Sequence, residues 1–384
     1  MKIKITASFL LLASLIFSCG DKSSKKYFAI PKNNAKDIQY EALEFDTIRL
    51  KNIETSYVGF IKIKTDTIYF VDKKFKWVFV FDKNGIFSNR FLGEGGGPKE
   101  INTGEIVGYE SLERGHFFVG PGNDCHIFNQ NFEREKEYVM EKANKKQKNE
   151  GIKNISADMD FIYTLSYPKL KLKNHKGFIY FNVYSEHPEF NFFKTPEDYF
   201  KQSRIIAKMD LETGKIESML GRYSPVYSNY KNLRQFSLIS FDITEKGDFY
   251  VCQEADSLIY VYDNNYTSTG AFGYKGKDMD LNYKTITSGA EFKELYKDER
   301  EKRGYYDWIE YINEMDLVFR SYKKGGKSKK DGLQIYKNQI LIADVNVPKN
   351  FRVEGYVAPY FYSHAFIDEE KESIHVLKFK LDGL

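Results

Sequence analysis

The stretch IYFVDKKFKWVFVFDKNGIFSNRFLGEGGG, residues 68–97, alternates short apolar runs with charged turns. Runs of four to six residues rich in Ile, Val, Phe and Tyr are too short for helices and predict strands. Asp82-Lys-Asn-Gly85 between two of them has the composition of a tight turn, because Asn and Gly accept positive φ. The pattern recurs at residues 249–276, FYVCQEADSLIYVYDNNYTSTGAFGYKG, where an offset of 181 sets Tyr250 on Tyr69, Val261 on Val80, Tyr262 on Phe81 and Asp263 on Asp82. Weaker copies end the runs Cys125–Phe132, Ile206–Gly221 and Ile374–Gly383. A spacing of about 45 residues, each unit a small antiparallel sheet followed by a glycine-rich link, predicts a β-propeller. The expected fold is therefore all-β, built from four-stranded antiparallel blades. Residues 40–384 allow about 57 residues per blade for six blades or about 49 for seven, and six is the expected number.

The segment Phe91–Glu100, FLGEGGGPKE, poses a choice between a phosphate cradle and a structural turn. A phosphate loop of the Walker type needs Lys followed by Ser or Thr and a helix, whereas Lys99 lies between Pro98 and Glu100. A dinucleotide fingerprint fails too, since Gly93-Glu-Gly-Gly-Gly-Pro98 ends in proline. Gly93, Gly95, Gly97 and Pro98 are instead expected to form the link between the outer strand of one blade and the inner strand of the next. Two helical insertions are expected, one from Thr195-Pro-Glu-Asp198 and one from the capping pattern Ser288-Gly-Ala-Glu291. Glu44–Leu50, EFDTIRL, is expected to close the ring by pairing with the last blade.

Composition adds a location. Lys2 and Lys4 precede an apolar run from Ile5 to Phe17, right for a signal-peptide core and too short to span a bilayer. Ser18 and Cys19 follow as in a bacterial lipobox, so residues 1–18 are expected to be removed and Cys19 to be lipidated. At roughly 0.8 kcal/mol per buried methylene, several acyl chains would hold the protein at a membrane. Residues 19–39, polar with one proline, are expected to form a flexible tether, and residues 40–384 a single propeller domain. Loss of Lys2 and Lys4 takes the formal charge from +4 to +2, which does not suggest nucleic acid. The basic runs 142–153 and 323–330 read as solvated loops. Cys125 and Cys252, both in strand-like runs, read as two separate buried thiols.

The segment from Ile53 to Ile101, with FVFDKNGIFSNRFLGEGGGPKE at its heart, resembles the first blade of Bacteroidetes-type six-bladed β-propeller lipoproteins, relatives of the NHL and TolB-like propellers. Gly95, Gly97, Pro98 and Glu100 match that pattern, and Lys99 stands where glycine is usual. The resemblance implies an exported, lipid-anchored propeller of the outer membrane and implies no particular activity.

Candidate chemistry is sparse. The six histidines lack the close spacing of a metal pair, no Gly-x-Ser-x-Gly elbow occurs, and no cofactor or metal is expected. Two aromatic-rich stretches, residues 304–311 and 355–366, give the candidate ligand-binding residues Trp308, Tyr356, Tyr360, Tyr362 and His364. Gly355 and Pro359 place the last four on an expected loop. Three readings stay open: a binding or sensing module for a glycan, peptide or envelope protein; a hydrolase or lyase acting at the mouth of the axial channel; and a scaffold subunit of an envelope complex.

Overall fold

The computed structural model describes residues 27–29, 31, 35–140, 155–230 and 232–383. The expected signal peptide, Cys19 and the basic run 142–153 precede or fall between these and lie outside the described residues. Strand β1 (Lys36–Tyr40) and strand β2 (Asp46–Leu50) come first and serve blades formed later in the chain. Blade 1 is β3 (Gly59–Lys64), β4 (Thr67–Asp72), β5 (Val78–Asp82) and β6 (Phe87–Phe91). Blade 2 is β7 (Gly108–Leu112), β8 (Gly115–Val119), β9 (Asp124–Asn129) and β10 (Arg134–Val139). Blade 3 has β11 (Tyr163–Leu165) and β12 (Leu172–His175) both on β13 (Phe178–Ser185), then β14 (Ile206–Asp210) and β15 (Ile216–Leu220).

Blade 4 is β16 (Ile239–Ile243), β17 (Phe249–Gln253), β18 (Ile259–Tyr262) and β19 (Ser268–Phe272). Blade 5 is β20 (Tyr305–Ile312), β21 (Leu317–Lys323), β22 (Asp331–Lys337) and β23 (Ile340–Val347), with β1 added parallel to β23. Blade 6 is β24 (Val353–Val357), β25 (Tyr360–Asp368) and β26 (Ser373–Phe379), completed by β2. The chain is an all-β, six-bladed propeller of mostly four-stranded antiparallel blades with two short helices. Part of the stretch expected as free tether is thus strand, because β1 finds the unpaired outer edge of blade 5.

The repeated turn has a common chemistry. The Asp82 side chain accepts from the backbone of Asn84 and Ile86, Asp263 from Asn265 and Thr267, and Asn129 from Asn131 and Glu133. Three residues after each acceptor the chain turns left-handed, at Gly85, Tyr266 and Phe132. The side-chain acceptor, rather than glycine, is the constant part. The corresponding turn of blade 5, at Asn338 and Gln339, has two left-handed residues and no such acceptor, which is why the sequence pattern passes over that blade.

Gly93, Gly95, Gly97 and Pro98 lie in the link from β6 to β7. Gly95 has φ +148°, and a Cβ there would fall 2.1 Å from Glu100 Oε2. Glu100 takes that space to accept from the Gly97 N–H at 2.8 Å, and Arg134 of β10 donates to the Gly96 carbonyl at 2.8 Å. The link is thereby fastened to the next blade. The first helix, α1 (Pro196–Gln202), sits between β13 and β14; the second, α2 (Gly289–Lys302), lies in the link into β20. Ser288 accepts from the Glu291 N–H at 3.1 Å, while Glu291 reaches back to the Thr287 N–H at 2.7 Å, one residue earlier than in a standard capping box.

Apolar cores lie between blades rather than at the axis. One joins blades 6 and 1 through Ile48, Leu50, Phe70, Phe81, Tyr362 and Val376, and others join successive blades around the ring. Middle strands such as β8 and β17 are buried on nearly every residue, because each face meets a neighbouring blade. Cys125 and Cys252 are separate buried thiols. Ring closure rests on β2, which pairs antiparallel with β26 from Asp46 opposite Lys378 to Leu50 opposite Ile374. Ile48 is 5% exposed and lies against this core. Ile48→Ala is expected to lower unfolding free energy by about 2–4 kcal/mol. Arg49→Ala, on the exposed side of the same strand, is expected to change it by less than about 0.5 kcal/mol, both read by chemical denaturation.

Candidate functional site

The inner strands β3, β7, β12, β16, β20 and β24 touch in a closed cycle around the axis. Alternate residues of a strand point the same way, so each inner strand presents its mid-strand side chain to the channel. Those residues are charged: Lys62, Glu110, Lys173, Asp242, Glu310 and Glu354, with Lys171 just ahead of β12. Isolated buried charges would cost several kcal/mol each, and here they are paired. Lys62 lies 3.2 Å from Glu110, Lys171 2.7 Å from Glu310, and Lys173 2.8 Å from both Asp242 and Glu310.

The electrostatics of this deep layer set its two carboxyls of β20 and β24 apart. Burial pushes Glu310 up, but Lys171, Lys173 and Lys62 pull it down to about 2. Burial raises Glu354 to about 7, with Lys62 opposing and Glu310 adding to the rise. Three cations therefore face four carboxyls, and Glu354 is the group that titrates near neutral pH.

Above this layer, at the face where the inner strands begin, is a second network. Arg352 holds Asp307 with two hydrogen bonds, at 2.9 and 3.1 Å. Lys169 reaches Asp307 at 3.4 Å and Glu254 at 3.3 Å. Arg300, delivered by α2, grips Glu254 through both guanidinium nitrogens at 2.9 Å. Lys323 lies 3.0 Å from Asp331 and 3.7 Å from Asp307, and Lys349 lies 2.7 Å from Asp331. Burial pushes Asp307 up, yet Arg352, Lys169 and Lys323 hold it well below the usual carboxylate range.

This network walls a cleft of about 300 Å³ whose polar lining is Lys169, Arg300, Tyr305, Asp307, Lys323, Asn350, Arg352 and His364. A deeper cavity of about 170 Å³ shares Pro168, Lys169 and Arg352 with it and is floored by Trp308 and Glu354. His364 is held neutral: burial first, then Arg352 and Lys323, bring it down to about 3. Its Nδ1 and the Trp308 Nε1 are buried without a hydrogen-bond partner among the described residues. Two larger hollows, about 690 and 720 Å³, flank β2 outside the ring and are open surface around the exposed Arg49 and Lys51.

Of the five aromatic candidates, the structure brings two to the channel, Trp308 and His364. Lys171 Nζ lies 4.3 Å and the Arg352 guanidinium 4.9 Å from the Trp308 ring. The other three pack between blades. Tyr356 lies against Phe361 at 4.8 Å, Tyr362 is buried with its hydroxyl donating to the Lys83 carbonyl, and Tyr360 lies under Lys378. The expected loop is a hairpin of β24 and β25, in which Ala358 and Pro359 form the turn. Gly355 is inside β24 because a Cβ there would come within 2.8 Å of Ile63 Cβ across the closing seam of the ring. Lys323, expected in a solvated basic run, ends β21 and turns into the mouth.

No protein-family model matches the chain, and no curated protein sequence matches it. Its structure is similar to a member of the DUF4221 family from Bacteroides vulgatus, with a TM-score of 0.66, 13% identity, and coverage of 88% of this chain and 97% of that one. It is also similar to a Bacteroides fragilis protein designated exported, with a TM-score of 0.55, 13% identity, and coverage of 91% and 99%. The chain is thus a six-bladed β-propeller resembling these two Bacteroides proteins in fold.

Two outcomes follow from the charge layers. Asp307→Ala leaves Arg352 and Lys169 underpaired in a buried site, and is expected to cost about 3 kcal/mol of stability by chemical denaturation. Glu354 binds its proton more tightly folded than unfolded, so stability is lost as pH rises from its ordinary value of 4.5 through about 7. The thermal midpoint is expected to fall between about pH 5 and 8, and Glu354→Gln to flatten that slope.

Proposed function

We propose that the chain is an exported, lipid-anchored propeller that binds a small ligand at the channel mouth without transforming it. The mouth supports this reading through one observation: each of its three carboxylates, Glu254, Asp307 and Asp331, is already engaged by two or more cations. Asp307 among them is held well below the usual carboxylate range by Arg352, Lys169 and Lys323, and the oxygens of all three are committed to cations rather than free to exchange a proton with a ligand. The neutral His364 and the orphan Trp308 Nε1 add directional hydrogen-bonding groups to an apolar and cationic wall. Export draws support from the N-terminal pattern ending in Ser18-Cys19 and from the exported designation of the Bacteroides fragilis neighbour.

A second reading, acid–base catalysis in the channel, draws on Glu354, whose carboxyl titrates near neutral pH beside the deeper cavity. The two readings separate experimentally. The full-length chain carrying Cys19→Ser, screened against glycan and peptide arrays, is expected to bind a ligand saturably, to lose that binding on Trp308→Ala, and to return the ligand unchanged. Product formation that disappears in Glu354→Gln would favour catalysis. In a Gram-negative host the unaltered chain is expected in the membrane fraction and Cys19→Ser in the soluble fraction; equal partition of the two would contradict the anchor.

A further inference from the structure

The charge count of the mouth points to a ligand class, and this step rests on the binding reading given above. Lys169, Arg300, Lys323, Lys349 and Arg352 share only Glu254, Asp307 and Asp331, so five cations meet three carboxylates. The deeper layer does not absorb the difference. There Lys62, Lys171 and Lys173 are matched by Glu110, Asp242 and Glu310, and the fourth carboxyl, Glu354, is raised by burial to about 7, so that it is only partly ionised near neutral pH. Each of the five has a carboxylate partner, yet the mouth carries two more positive than negative formal charges, with one of its cations, Lys349, 44% exposed.

We infer that the mouth takes a monosaccharide-sized dianion, a molecule bearing either two carboxylates or one phosphate monoester, whose oxyanions meet the surplus charge of Lys323, Arg352 and Lys169. The size follows from the cleft, whose 300 Å³ is at the small end of ligand sites. The cations are suitably placed because they are clamped. Arg352 is fixed by its bidentate pairing to Asp307, and Lys323 by Asp331 and Asn350, so little side-chain freedom is lost on binding. Beneath them Trp308, 6% exposed, keeps an indole N–H and His364 an Nδ1 that have no hydrogen-bond partner among the described residues. Both are the type of directional group that an oxygen-rich anion satisfies.

The alternative, that the surplus is merely solvated surface charge, fits Lys349 and in part Arg352, 44% and 31% exposed, but not Lys323 and Lys169. The Lys323 and Lys169 side chains are 13% and 3% exposed, so bulk water screens them poorly.

The test is calorimetric titration of the full-length chain carrying Cys19→Ser with matched probes: galactarate and galactose 6-phosphate as dianions, galacturonate as a monoanion, and galactose as the neutral control. Both, or either, of the dianions are expected to bind more tightly than galacturonate, with galactose weakest. Raising the salt from low to moderate ionic strength is expected to weaken dianion binding by about fivefold or more. Lys323→Met is expected to weaken it by about tenfold, in line with loss of one charge-assisted hydrogen bond. That variant leaves Asp331 with Lys349 and the Asn350 N–H, and Asp307 with Arg352 and Lys169, so no carboxylate is orphaned. Lys297→Met, on the outer side of α2, serves as the control and is expected to bind as the parent does. Galactose binding as well as the dianions, lost on Trp308→Ala and insensitive to salt, would overturn the dianion and leave the binding site standing. Failure of both dianions to bind at low salt would overturn the dianion inference.

Discussion

Stacking of apolar sheet faces is the interaction on which the rest of this molecule depends. A single four-stranded blade cannot cover either of its faces, and each here is covered by its two neighbours, leaving the cores between blades. The arrangement is stable only if the last blade meets the first, which is the task of β2 on β26. Closure then has a geometric consequence. Six inner strands are drawn to one axis, and whatever they carry at mid-strand must coexist there.

What they carry is charge, and the channel is therefore a problem in desolvation before it is a site. The deep layer solves it by pairing lysines with carboxylates and by leaving Glu354 only partly ionised near neutral pH. The mouth solves it differently. Its carboxylates are shared, and guanidinium groups from two sources, the start of β24 and helix α2, hold them in bidentate geometry. The same sharing that stabilises the acids leaves the cations with unused capacity, so the structural solution and the proposed binding property have one origin.

The architecture was legible because a turn chemistry repeats. Asp82, Asn129 and Asp263 each stand at or one residue past the end of a third strand and cap the turn that follows, and strand-forming residues on both sides made the spacing visible. The turn of blade 5, at Asn338-Gln339, has two left-handed residues and no side-chain acceptor, so the repeat does not mark that blade. The site was much less legible. Lys169, Lys171 and Lys173 in YPKLKLKNH alternate with apolar residues, the period-two signature of a strand with one charged face. Only the ring reveals that this face looks into a channel, opposite Glu310 and Asp242 from strands some 70 to 140 residues away in sequence. Aromatic density marked five residues that the fold then separates: Tyr356, Tyr360 and Tyr362 pack between blades, while Trp308 and His364 reach the axis.

A mouth whose cations outnumber its carboxylates should concentrate an anion whether or not its natural ligand is known. The most direct measurement is a crystal structure of the chain soaked with galactarate. The expected result is anion density in the cleft within hydrogen-bonding reach of Lys323 and Arg352, with the Arg352–Asp307 pairing intact. A mouth occupied only by water, with the anion bound elsewhere on the ring, would contradict it.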